Sequence, residues 1–155
     1  MFIDIHVHTA RQPAPPRMKS GESYATPEQL LEMYAEVGIQ TAVILPSVNP
    51  ECAFAIQSVQ EALDIAAQHP GKFVPFCNID PRMVSNAADA DLGYLMEYFR
   101  ERGCPGVGEV CANLYFDDPL VQNLFHHAEQ NGMLLTFHVA TQQGNTYGLI
   151  DDLHL

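Results

Sequence analysis

Basic residues are scarce. Lysine and arginine together number seven against 19 acidic residues, a formal charge of −12. So acidic a surface argues against nucleic acid and against an anionic membrane as partners. A small anionic substrate answers instead to the local field of its site. Long apolar runs are also lacking: no segment reaches the roughly 18 consecutive apolar residues of a membrane span. The N-terminus has no basic stretch followed by an apolar one, so no signal peptide is expected. The four cysteines, Cys52, Cys77, Cys104 and Cys111, form no C-x-x-C pair. Reduced thiols in a cytoplasmic protein are the expectation. No G-x-G-x-x-G or G-x-x-x-x-G-K-[ST] motif follows the first strand-like run, which weakens a nucleotide-binding reading.

What is present is an alternation of short β-rich runs with longer amphipathic ones. Hydrophobic residues make up 47% of the 155 and charged residues 17%, ordinary for one globular domain with a real core. The first run is Phe2 to Val7, followed by a loop rich in proline and basic residues (RQPAPPRMKSGES). TPEQLLEMYAEVG predicts a helix: Thr26 caps it, Pro27 takes the first position, Gln29 completes a capping box and Gly38 ends it. TAVILP reads as a buried strand, and Asn49-Pro50 as the start of a second helix. KFVPFCNI is a third strand, Ala87 to Arg102 a third helix, and GVGEV a fourth strand. Asp118-Pro119 starts a fourth helix, MLLTFHV is a fifth strand, and GLIDDLHL reads as the approach to a further helix.

The strands begin near Phe2, Thr41, Phe73, Gly106 and Met133, at spacings of 39, 32, 33 and 27 residues. That suits βα units of about 30 residues and a parallel sheet covered by helices. A doubly wound open sheet and a (β/α)8 barrel both fit.

Strand side chains alternate faces. In FIDIHVHT this puts Ile3, Ile5 and Val7 on one face, under helices, and Asp4, His6 and His8 on the other. In parallel α/β folds, sites form at the C-terminal ends of strands, where His6 and His8 fall. Alone, an H-x-H pair is read more simply as polar strand-end residues bonded to neighbours. Two further strand ends tip the balance: GVGEV places Glu109 there and TFHVA places His138. A carboxylate after a glycine-rich apolar strand is costly to bury without a partner. Four such groups on one rim point to a divalent cation, with zinc first for a histidine-rich set and manganese or iron as alternatives. His69 ends the second helix, where it favours the helix dipole. His126 and His127 read as solvated or packed, and His154 is too near the terminus to place. In CNIDPR, Asp80 reads as a cap before Pro81. Arg82 is a candidate for a substrate carboxylate, though a surface loop arginine is its plainer reading.

These residues resemble a known family. FIDIHVHT is similar to the strand-one H-x-H signature of the amidohydrolase superfamily, and GVGEV and LLTFHVA to its strand-four and strand-five ligand positions. The likeness is to the amidohydrolase 2 branch, metal-dependent hydrolases and decarboxylases of TIM-barrel fold. YATPEQLLEMYAEVGIQTAVILPS resembles its first helix and second strand. The resemblance implies that His6, His8 and His138 bind metal. It implies that Glu109 ligates the metal or orients a water as the catalytic carboxylate. It implies metal-assisted hydrolysis of a carbonyl substrate (amide, ester or lactone), with non-oxidative decarboxylation as the alternative and a non-catalytic binding or assembly module as the rival. The family's barrel has eight strands and a strand-six histidine and strand-eight aspartate; residues 1–155 supply five strands and neither group. The expectation is therefore one partial barrel domain over 1–155. Its open edge and inner face would be covered by a homo-oligomer or a complementing fragment.

Overall fold

The computed structural model describes residues 2–16, 18–19, 21, 23–49, 55–141 and 147–151. In chain order its elements are β1 (Phe2–Val7), α1 (Pro27–Val37), β2 (Ile39–Ile44), α2 (Val59–Gln68), β3 (Phe73–Pro75), α3 (Gly93–Arg100), β4 (Gly106–Val110), β5 (Ala112–Tyr115), α4 (Pro119–Gln130), β6 (Leu134–Phe137), β7 (Val139–Ala140) and β8 (Gly148–Ile150). β1, β2 and β3 pair in parallel, and β4 pairs in parallel with β6. A parallel bridge between Cys77 and Val107 joins the two groups. The result is an arc β1-β2-β3-β4-β6 in which each strand reaches its neighbour through a helix, the arrangement of a TIM barrel. β5, β8 and β7 form a small separate sheet.

The helices cover the outer face. Val7, Leu30, Tyr34, Ala42, Ile44, Ala62, Ile65 and Phe73 form one core cluster, beneath α1 and α2. A second gathers Cys77, Met96, Val107, Val110, Leu124 and Leu149 beneath α3 and α4. The inner face is open: Ile3 is 57%, Ile5 73% and Leu134 63% exposed. Ile5, Val43, Val74, Phe76, Leu134 and Leu135 line a concavity of about 380 Å³ there. No helix among the described residues is long and apolar enough to cross a membrane.

The cap expectations hold for α1 and α4. Thr26 and Gln29 make the reciprocal capping box, Gly38 ends α1 in the left-handed region, and Asp118 accepts from Leu120 N at the start of α4. Elsewhere the boundaries move. α2 begins at Val59, capped by Ser58, whose hydroxyl accepts from Glu61 N. Asn49 does not open it: its side chain is buried, donating to Asp80 and accepting from Cys111 N. Pro50 and Cys52 lie outside the described residues, as does His154. α3 begins at Gly93 and not at Ala87, because the Asp91 and Ser85 side chains take the Gly93 and Ala87 amides into local turns. In GLIDDLHL, residues Gly148–Ile150 are strand β8, and 152–155, where a following helix would start, lie outside the described residues. The fifth expected strand divides at His138 into β6 and β7.

Candidate metal centre

Strict alternation fails in β1, and the failure builds the site. The β1–β2 register shifts between Asp4 and Val7, so three steps on β1 oppose two on β2, a β-bulge. Asp4 thereby faces the helices, where it accepts a 2.7 Å hydrogen bond from the Tyr34 hydroxyl of α1. It does not share a face with His6 and His8. Val7 is on the helix side too, in the cluster with Tyr34. The other carboxylate oxygen of Asp4 accepts from His6 N at 3.0 Å and closes the bulge. Burial, reinforced by the Asp4 carboxylate, pushes the Tyr34 phenol pKa well upward, so it stays a donor. His6 and His8 are left aimed at the strand end.

There they meet Glu109. His6 Nε2 lies 3.2 Å from His8 Nε2. Glu109 Oε2 lies 3.4 Å from the first and 3.3 Å from the second. His8 Nδ1 contacts the Leu45 carbonyl at 2.9 Å. A carbonyl only accepts, so Nδ1 carries a proton and Nε2 is the nitrogen turned to the triangle. For ligands about 2.0–2.1 Å from a tetrahedrally held ion, the ligand–ligand edge is about 3.3–3.4 Å. The three donor atoms therefore stand where one ion would place them, and His6, His8 and Glu109 form a group of metal-holding geometry.

Of the four expected ligands, three converge on this triangle. His138 reaches the site through the carboxylate: its Nδ1 lies 2.9 Å from Glu109 Oε1. Its ring packs 4.1 Å from that of Tyr147, while His8 stacks at 5.5 Å on Tyr24. Glu109 is 6% exposed. Burial raises its pKa. Hydrogen bonds from His8 and His138 and the charges of His6 and His8 outweigh that and hold it below the usual carboxylate range. β4 can carry an acid here because it contains Gly108. A Cβ at that position would meet the Thr136 carbonyl oxygen at 2.3 Å, and φ is +144°. Only glycine lets β4 and β6 approach so closely.

Arg82 is placed on Asp80, which accepts from its Nε and Nη2 at 2.7 Å each, while Nη2 also donates to the Ala112 carbonyl. Asp80 forms a local turn with Arg82 N and does not cap a helix. The signal for Asp4, Asn49 and Asn78 as supports was weak in the sequence. Each is an isolated polar residue in or beside an apolar run.

No family model matches the sequence, and no curated protein does. Solved structures do. An uncharacterized TIM-barrel protein of Bordetella bronchiseptica superposes with a TM-score of 0.61 at 19% identity, over 93% of this chain and 56% of that one. The chain has the fold of part of a TIM barrel. A 2,6-dihydroxybenzoate decarboxylase complexed with 2,6-dihydroxybenzoate gives 0.56 at 15% identity, over 92% and 51% of the two chains. A probable 2-pyrone-4,6-dicarboxylic acid hydrolase of Acinetobacter baumannii gives 0.53 at 12% identity, over 86% and 47%. The partial barrel expected from FIDIHVHT, GVGEV and LLTFHVA is thus borne out in the fold. The chain spans about half the length of these structures.

Proposed function

We propose that the chain carries the metal-binding part of an amidohydrolase-type hydrolase acting on a carbonyl substrate: amide, ester or lactone. The observation behind this reading is the triangle of His6 Nε2, His8 Nε2 and Glu109 Oε2, with edges of 3.2–3.4 Å at the C-terminal ends of parallel strands. Its fold neighbours, a hydrolase and a decarboxylase among them, support the class of enzyme. A divalent cation held there, zinc in the first instance, would lower the pKa of a bound water towards about 7 and polarise a carbonyl.

The chain's own residues do the rest. His6 and His8 bring their Nε2 atoms to the triangle, and the Leu45 carbonyl accepts from His8 Nδ1 and so fixes that ring's orientation. Glu109 stays ionised because its pKa is held low. His138, on its second oxygen, keeps that carboxylate turned towards the two imidazoles. The decarboxylase neighbour favours a second reading, in which the same centre orients a carboxylic acid. The open inner face fits a cover of further β/α units, supplied by a second copy or a complementing segment.

Metal content by plasma mass spectrometry, on the chain and on a His6→Ala/His8→Ala double variant, tests the proposal. We expect about one equivalent of zinc, manganese or iron, lost in the variant. A metal-loaded chain would then be assayed on ester, lactone and carboxylic acid substrates. Equal metal in both proteins, or none in either, would remove the assignment.

A further inference from the structure

Asn78 is fully buried just past β3, and its side chain supplies none of the three donor atoms of the triangle. Its Nδ2 donates two hydrogen bonds, each 2.7 Å, to the backbone carbonyls of Pro46 and Glu109. Both carbonyls belong to the site. One is that of the candidate ligand Glu109. The other follows Leu45, whose own carbonyl holds His8 Nδ1. Asn78 Oδ1, by contrast, has no hydrogen-bond partner among the described residues. Burying an acceptor without a partner is unfavourable. The residue is therefore explained by its two donors and not by a satisfied amide. An apolar side chain of the same size would remove the orphan acceptor, but also the bonds to both carbonyls.

We propose that Asn78 is a positioning residue for the candidate metal centre, its one amide nitrogen fixing the backbone that presents Glu109 and the backbone that orients His8. The inference rests on the metal-centre reading above. Any backbone rotation that swings Glu109 away from the imidazoles turns its carbonyl too, and so breaks the bond to Asn78. Loss of the Pro46 bond frees the segment whose carbonyl selects the His8 tautomer. Partners that orient ligands in this way are worth about 10- to 100-fold in metal affinity.

The test uses the full chain, Co²⁺ as probe and two variants, Asn78→Leu and Asn78→Ser. Affinity is read by competition titration and by the cobalt absorption bands. Folding is read by melting without metal, and the His8 tautomer by nitrogen NMR of the imidazoles. We expect the parent to bind one Co²⁺ and to show His8 protonated at Nδ1. Asn78→Leu should bind about 10- to 100-fold more weakly and populate the other His8 tautomer, while still melting cooperatively. Asn78→Ser keeps one donor and should fall between; it carries the test if the leucine variant does not fold. Parental affinity and an unchanged tautomer in a folded variant, even with a lowered melting temperature, would make Asn78 merely structural and overturn the proposal. If the parent binds no Co²⁺, the metal reading fails by itself. The His8 tautomer then decides on Asn78: a shift in the variants upholds its positioning role, and no shift ends it.

Discussion

β1 and β4 deliver to the same triangle from opposite situations. Every residue of β4 is buried, and its strand lies inside the arc, bridged to the end of β3 on one side and paired with β6 on the other. β1 pairs with β2 alone among the described strands, and only Val7 of its six residues is buried. The Glu109 side chain is 7% exposed and that of His6 43%. The acid is thus held by packing on all sides, and its desolvation is offset by imidazoles that come to it. The imidazoles sit on an edge and depend on a bulge, one aspartate and one tyrosine for their aim. Substitutions in the middle of the arc should therefore act through stability, and those at its edge through geometry.

Gly108→Ala presses hardest on this contrast. Its Cβ would collide with the Thr136 carbonyl at a backbone angle unsuited to L-residues. We expect a loss of about 3 kcal/mol or more, or no cooperative melting at all. Glu109→Gln comes next. It removes charge-assisted bonds to His138 and the site imidazoles, worth about 1.5–3 kcal/mol before the desolvation it relieves. The sign of its pH dependence follows from the lowered pKa. A carboxyl depressed in the folded state stabilises fully above its unfolded value, about 4.3, and that contribution is lost as the pH falls through the lower folded value. The gap in Tm between parent and Glu109→Gln should be widest between about pH 5 and 7 and should close on further acidification. A gap that widens below pH 4 would contradict the pairing described here.

The same contrast explains what could be read from the sequence. The five arc strands were legible because β2 and β4 are short apolar runs between amphipathic helices. The caps of α1 and α4 were legible because Thr26, Gln29 and Asp118 act on amides two or three residues away. His6, His8 and Glu109 were legible because polar groups at strand ends are conspicuous. What stayed hidden was set by distant partners. Asn49 has the look of a helix start, yet it spends its side chain on Asp80 and Cys111, 31 and 62 residues on. β5 and β8 are three or four residues long and exist by pairing with each other. The bulge in β1 cannot be seen in FIDIHVHT, since it appears only in register with β2. Hence Asp4 reads as a ligand neighbour when it is an anchor.

The edge predictions are the smallest in energy and the most specific. Ile5 is 73% exposed, so Ile5→Thr should change stability by no more than about 0.5 kcal/mol and leave metal content unchanged. It also removes apolar surface from the open inner face. If a second copy covers that face, the variant should show weaker concentration-dependent association by sedimentation; equal association in both would point to a cover elsewhere. Tyr34→Phe is sharper. It deletes one hydroxyl, 2.7 Å from Asp4, and nothing that touches the triangle. The expected cost is about 1 kcal/mol in stability. If Asp4 aims His6 by closing the bulge, the freed carboxylate loosens His6 N and metal affinity falls with it, by a few-fold and in the same variant. A stability loss of that size with unchanged affinity would mean that the bulge holds its shape by backbone pairing alone, and that β1, for all its exposure, is as fixed as β4.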